Sequence, residues 1–168
     1  MSIEEPMPYR GASIAVLTEH VGETYVVAID RDDDPGIRFP GRRELPGGTL
    51  EPGETPLEAA LRELREETAI SLEPGEVEYA KAFRCVGAYA CDVLFGAHVK
   101  TERVSNMHKG SEGKALNLVR IEAFVRDLRV IQDHRERLLG YIAARSTHFL
   151  PQAAPHFLEM ATTTGPLA

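Results

Sequence analysis

Residues 45–70, LPGGTLEPGETPLEAALRELREETAI, contain the side chains whose types and spacing are best suited to chemistry. Glu63, Glu66 and Glu67 stand at i, i+3 and i+4, so on a helix the three carboxylates share one side. Like charges at these spacings cost a helix about 0.2–0.5 kcal/mol per pair, and more where the face is partly enclosed. A hard divalent cation would offset that repulsion, since Mg²⁺ takes one or two carboxylates, several waters and substrate phosphate oxygens. Arg62 can pair along the helix with Glu66, and Glu54, just upstream, can meet Arg62 from the loop. Taken alone, such a helix also reads as an exposed, salt-bridged face. The turn Pro46-Gly47-Gly48 changes that balance, because a glycine backbone lets the chain approach a ligand closely and point a carbonyl at a metal.

The elements that must position these residues are legible in the periodicity. Leu57, Ala60, Leu61 and Leu64 recur at helical spacing and predict a helix running to about Ala69. Thr55 can cap it, Pro56 suits its first turn, and Glu58 completes a T-x-x-E capping box. Before it, residues 13–18 and 25–29 are short β-branched and aromatic runs that predict a hairpin. Residues 31–43 read as a surface loop, in which Asp32, Asp33 and Asp34 form a solvated charge run rather than a metal site. After the helix, residues 77–85, 91–101 and 116–121 predict strands, the first two around a turn at Gly87. Helical patterns return at 121–127 and 134–145. This order predicts an α/β (α+β) sandwich, a mixed β-sheet with helices packed on it. Residues 1–150 are expected to form a single domain. Residues 151–168, rich in Pro, Ala and Thr, are expected to be a C-terminal tail, with a strap on a partner subunit as the alternative.

A chain of 168 residues with 43% hydrophobic and 27% charged residues and a mean hydropathy of −0.23 has the composition of a soluble globular domain. No run approaches the roughly 20 apolar residues of a spanning helix. Glu4 and Glu5 stand where a secretory signal would be basic, so a cytoplasmic location is expected. The net charge of −7 repels polyanions, which argues against nucleic-acid and anionic-membrane partners but leaves a small phosphorylated ligand possible if cations bridge it. Cys85 and Cys91 lack metal-ligand spacing and are expected to be free, largely buried thiols, with a cross-hairpin disulfide as the alternative. A homodimer remains possible.

The segment resembles the signature of the Nudix hydrolases, G-x5-E-x7-R-E-U-x-E-E-x-G-U with U aliphatic. Gly48, Glu54, Arg62, Glu63, Leu64, Glu66, Glu67 and Ile70 match it with every spacing kept. From average residue frequencies, such a match arises by chance in roughly one chain in a million. Ala69 departs, standing where the family has glycine, which bears on the helix end. Arg43 departs too, where many relatives have an aromatic three positions before the proline of the turn.

The resemblance implies an α/β/α sandwich and hydrolysis of a pyrophosphate linkage in a nucleoside diphosphate joined to another moiety, with Mg²⁺ or Mn²⁺ required. It assigns Glu63, Glu66 and Glu67, with the Gly47 carbonyl, to the metal, and Arg62 and Glu54 to orienting them. Many relatives supply a further acid from a later loop, as metal ligand or general base. Glu112, in residues 105–114, is the best-placed candidate, with His108 a weaker rival. Gly48, Arg43 and Tyr89 are the candidate substrate contacts. Arg43 shares the parity of Leu45, so it is expected to point inward and stack on a base or grip a phosphate, while Arg42 points away. Tyr89 is either a stacking residue or a strand-end core aromatic.

Subtype marks narrow the substrate only by elimination. The proline typical of ADP-ribose hydrolases is missing, Cys85 and Val86 occupying that region, and Tyr89 only approximates the tyrosine of diadenosine-polyphosphate hydrolases. No coenzyme A signature is recognisable. The expected substrate is a nucleoside triphosphate or a modified one, releasing pyrophosphate. The alternatives are a nucleoside-diphosphate-sugar pyrophosphatase and, in a different class, a non-catalytic nucleotide-sensing module, whose expected eroded carboxylates are not seen.

Overall fold

A computed structural model describes residues 7–147; the expected tail, 151–168, lies outside the described residues. Its axis is β1 (Tyr9–His20), along which Ile14 and Val16 are buried against one layer and Ala15 and Leu17 against the other. The period of two with both faces apolar is that of a strand at the centre of a sandwich. A two-residue turn at Val21 and Gly22, both at positive φ, returns the chain into β2 (Glu23–Asp30), which pairs antiparallel with β1 from Leu17↔Val26 to His20↔Glu23.

The other edge of β1 pairs in parallel with β6 (Cys91–His98), and β6 carries β5 (Tyr79–Arg84) as an antiparallel neighbour. β2 pairs antiparallel with β3 (Arg43–Glu44) and with β7 (Ala115–Arg120). The expected mixed sheet is therefore present, with seven strands among the described residues. Helix α1 (Pro56–Thr68) covers one face through Leu57, Ala60 and Leu64. Helices α3 (Ile121–Arg126) and α4 (Gln132–Ser146) cover the other through Phe124, Leu138 and Tyr141. No helix of the described residues is long and apolar enough to cross a membrane.

Two local expectations change. The strand predicted over 91–101 ends at His98, and Thr101–Ser105 form a short helix, α2. Pairing with β1 also stops there, at Leu17↔His98, although β1 runs on to His20, and the Thr101 hydroxyl donates to the Glu19 carbonyl at 2.7 Å, occupying a ladder acceptor. The turn after Leu45 becomes a strand, β4 (Gly47–Thr49), paired antiparallel with β1 at Gly11↔Thr49, Ala12↔Gly48 and Ser13↔Gly47. β1 thus binds β4 along its first half and β2 along its second, and Ile14 N–H donates to the Pro46 carbonyl at 2.9 Å in the fork between them. Cys85 and Cys91 are free thiols, as expected; Cys85 is buried and Cys91 half-buried.

Candidate active site

The fork in the sheet requires Gly47, and Gly48 lies against the end of the Glu63 side chain. A Cβ on Gly47 would stand 2.4 Å from the Ala12 carbonyl oxygen and 2.5 Å from Ser13 Cα. A Cβ on Gly48 would stand 2.3 Å from a Glu63 carboxylate oxygen. The strand after the turn is therefore pressed against both β1 and helix α1, which brings the Gly47–Gly48 backbone to the carboxylates.

Helix α1 starts as predicted: Thr55 Oγ accepts from Glu58 N–H at 3.3 Å, and Thr55 N–H donates to the Glu58 carboxylate at 2.8 Å. It ends at Ala69, whose φ of 60° is the left-handed cap conformation. This explains why the family favours glycine here, since a Cβ in that region costs about 1–2 kcal/mol. Between the caps, Arg62 gathers the acids. Its Nε and Nη2 grip Glu54 in a bidentate pair at 2.8 and 3.0 Å, while Nη1 reaches Glu63 at 2.8 Å and Glu66 at 3.3 Å. Nη2 also donates to the Thr49 carbonyl at 3.2 Å, tying the helix to β4. The hydrogen bonds from Arg62 hold Glu54 below its ordinary carboxylate range, and Glu54 in turn holds Arg62 firmly protonated.

Glu67 stands apart from that clasp. Its Oε2 accepts from Gly47 N–H at 3.0 Å, joining helix to turn. Burial pushes its pKa up to about 8, against the Gly47 hydrogen bond, and the charges of Glu44, Glu63 and Glu112 push the same way. Gly47 thus meets the cluster through its N–H, and Glu112 comes close enough for its charge to act on Glu67.

Among the described residues, no three such side chains stand in metal-holding geometry, Glu63 and Glu66 being drawn to Arg62 and Glu67 to Gly47. The donor set still fits a hard divalent cation. Glu63, Glu66 and Glu67 supply oxygen only, and the burial of Glu67 beside the charges of Glu44, Glu63 and Glu112, which raises its pKa, is what a cation there would offset.

Beside the turn lies a cavity of about 340 Å³, bordered by Gly47, Gly48 and Thr49. Four arginines line it, Arg10, Arg31, Arg38 and Arg137, against the three carboxylates Glu44, Asp92 and Asp133, so it is cationic within a chain of net charge −7. Arg10 grips Asp92 at 2.7 and 3.2 Å. Arg137, which is buried, meets Asp92 and Asp133 only at 3.6 and 3.5 Å. Arg31 pairs with Glu44 at 2.5 Å, and its Nε is buried with no protein partner. The cavity rim carries Phe39, 42% exposed, with the Arg38 guanidinium 4.7 Å from its ring centroid. Phe39 has φ of +56°, a left-handed conformation unusual for an aromatic residue.

His134 lines the same cavity, and its Nδ1 accepts from Leu45 N–H at 3.0 Å, which fixes α4 to the chain entering the turn. Burial, aided by the Arg137 charge, pushes its pKa down to about 3, so the ring is neutral and available as an acceptor. Glu44 is buried between Arg31 and the carboxylate cluster, and its pKa is raised by that burial. Arg10, Arg31, Glu44, His134 and Arg137 carried no motif. Only the parity of Glu44 beside the turn and the helical placement of His134 and Arg137 could have drawn attention to them.

Of the residues singled out in the sequence, Gly47, Gly48, Glu54, Arg62, Glu63, Glu66 and Glu67 come together, and Glu112 approaches them. Arg43 and Tyr89 do not join them. Arg43 points inward as its parity required, but it faces Asp30, its cross-strand partner, in a bidentate pair at 2.6 and 2.9 Å, and reaches Asp127 at 3.1 Å. Only 11% of its side chain is exposed, and it does not line the cavity. Its role is therefore to fasten β3 to the segment leading into α4, a correction to the expected ligand contact. Arg42 points away and donates to the Leu128 carbonyl at 2.9 Å. Arg43→Ala is accordingly expected to lower unfolding stability by about 2 kcal/mol, since it removes the bidentate partner of the part-buried Asp30 and leaves it only Asn117 and a longer contact with Arg129, while KM stays within about twofold. Denaturant unfolding and steady-state kinetics on the same preparation check it, and a several-fold rise in KM at unchanged stability would return Arg43 to the ligand. Tyr89 sits 60% exposed in the turn between β5 and β6, neither a core aromatic nor a wall of the cavity.

The pattern of the NUDIX domain matches residues 7–139, and the chain belongs to that family. It is 31% identical over 121 residues to an octanoyltransferase of Myxococcus xanthus, covering 70% of this chain and 32% of that protein. It is 37% identical over 73 residues to an RNA pyrophosphohydrolase of Erythrobacter litoralis, covering 44% of this chain and 42% of that one. The chain thus matches less than half the length of either curated relative. Its fold resembles that of a bifunctional NMN adenylyltransferase/ADP ribose pyrophosphatase of Francisella tularensis, solved with AMP and a manganese ion, with a TM-score of 0.63 at 18% identity over 84% of this chain and 43% of that one.

Proposed function

We propose that the protein is a divalent-metal-dependent Nudix pyrophosphohydrolase acting on a small nucleotide, with a nucleoside triphosphate or modified nucleoside triphosphate as the preferred substrate and pyrophosphate as product. The observation that carries this reading is the joining of two sites at one turn. The Arg62-clasped carboxylates and Glu67 meet the Gly47–Gly48 backbone, and the arginine-lined cavity is bordered by the same two residues. A bound nucleotide can place its phosphates at the carboxylates and the rest of its body in the cavity. The Mn²⁺ in the Francisella structure and the name of the Erythrobacter relative are consistent with such chemistry.

Glu63, Glu66 and Glu67 would hold Mg²⁺ or Mn²⁺, with the Gly47 carbonyl a candidate further ligand. When bound, such an ion neutralises phosphate charge and lowers the pKa of a coordinated water. Arg62 fixes the orientation of Glu54, Glu63 and Glu66, which limits the reorganisation needed on binding. Glu112 is assigned as the general base, since it arrives from a loop outside the clasp with its charge felt at Glu67. In the cavity, the free Arg31 Nε–H and the loosely paired Arg137 offer donors to phosphate or base oxygens, and Phe39 offers a face to a base.

A substrate panel with Mg²⁺ and product identification tests this reading. It should include nucleoside triphosphates, nucleoside-diphosphate sugars, dinucleoside polyphosphates and a 5′-triphosphorylated oligonucleotide. A nucleoside monophosphate with pyrophosphate is the expected product pair. A sugar phosphate would assign the nucleoside-diphosphate-sugar reaction instead, and binding without turnover of any member would make the protein a sensing module.

A further inference from the structure

Two exposed aspartates of the loop after β2 are tied to the chain beyond Glu112. Asp32 Oδ2 accepts from Gly113 N–H at 3.2 Å, Asp33 pairs with Lys114 Nζ at 2.5 Å, and the Asp30 carbonyl accepts from Lys114 N–H at 2.7 Å. The contacts fall immediately after Glu112. At its other end the same loop is bound to the last turn of α1, where His108 N–H donates to the Thr68 carbonyl at 3.1 Å and Gly110 N–H to the Glu67 carbonyl at 3.0 Å. The fit there is close, because a Cβ on Gly110 would stand 2.0 Å from the Glu66 carbonyl oxygen. Gly113, at φ +77°, is in the left-handed region, with its Cβ position 2.9 Å from the Ile29 side chain. Glu112 thus hangs between two anchors, one on the carboxylate helix and one on the loop that contributes Arg31, Arg38 and Phe39 to the cavity.

We propose that Asp32 is a positioning residue, whose hydrogen bond to Gly113 sets the placement of Glu112 against the carboxylate cluster and so links the loop that lines the nucleotide cavity to the catalytic carboxylate. Asp33 supports the same anchor more weakly, since its pair with Lys114 is exposed on both sides. The inference rests on the assignment of Glu112 as base. Energy from binding the non-reacting part of a substrate would then be felt as placement of a reacting group, which acts on kcat rather than on KM.

Asp32→Ala, Asp32→Asn, Glu112→Gln and the double variant Asp32→Ala/Glu112→Gln test it, with melting temperatures matched to wild type and amide hydrogen exchange followed over residues 106–114. The expected result for Asp32→Ala is a roughly tenfold fall in kcat with KM within about twofold, and faster exchange at residues 106–114. Asp32→Asn keeps an oxygen acceptor for Gly113 N–H and should recover to within about threefold of wild type. In the Glu112→Gln background, Asp32→Ala should cause no further loss. Wild-type kcat for Asp32→Ala alongside an impaired Glu112→Gln, or the same loss with Glu112 absent, overturns the inference while leaving the base assigned. Wild-type turnover of Glu112→Gln removes the assignment itself, and the inference with it.

Discussion

Glu67→Gln is expected to fold normally and to lose about 10²-fold or more in kcat, with little change in KM. The glutamine keeps the volume of the side chain and an oxygen to accept the Gly47 N–H, so the tie between helix α1 and the turn survives. What disappears is a charge at the proposed metal site. The same change relieves a repulsion, because Glu67 is buried beside Glu44, Glu63 and Glu112. In the absence of metal the variant should therefore melt at or above the wild-type temperature. A residue that weakens catalysis when present only as its neutral isostere, yet strains the fold when charged, has the profile of a site held for function rather than stability. Near-wild-type turnover at a matched melting temperature would take Glu67 out of the site.

The second large effect is on stability and follows from proton linkage. The Glu67 pKa is raised from an ordinary 4.5 to about 8 in the folded protein. Between those values the folded, metal-free chain keeps a proton that the unfolded chain has released, so its contribution to stability is full below about pH 4.5 and is lost as pH rises to about 8. A divalent cation needs the ionised carboxylate, and its binding reverses that loss. At a free Mg²⁺ or Mn²⁺ concentration about 100-fold above Kd, the stabilisation is about 2.7 kcal/mol, a rise in Tm of roughly 5–10 °C for a chain of this length. The shift should be largest near pH 8 and shrink toward pH 5.5, and calorimetry at pH 7 in two buffers of different ionisation heat should register proton release on metal binding. Glu63→Gln should show a much smaller shift. If millimolar metal moves neither protein at pH 8, or moves both equally, the carboxylates do not form the cation site.

Short-range spacing determined much of this protein. The capping box at Thr55 and Glu58, the leucine stripe of α1 and the register that puts Arg62, Glu63, Glu66 and Glu67 on one helix all depend on residues within a few turns of each other, where helical geometry alone decides neighbours. The same holds for the apolar runs at 13–18 and 25–29, which predicted the hairpin of β1 and β2. Long-range pairing decided the rest. Parity sent Arg43 inward, but only the β2–β3 register placed Asp30 opposite it and turned an expected ligand contact into a structural ion pair. The three aspartates of the loop are exposed, as a solvated charge run should be, but only the pairing of β2 with β7 brought Gly113 and Lys114 beside Asp32 and Asp33. The cavity is the clearest case, since Arg10, Arg31, Arg38 and Arg137 meet only because β1, the loop after β2 and helix α4 converge at the fork in the sheet. A side chain's face is a local property of backbone period, whereas what stands across from it depends on how distant elements pack, which no spacing along one chain records.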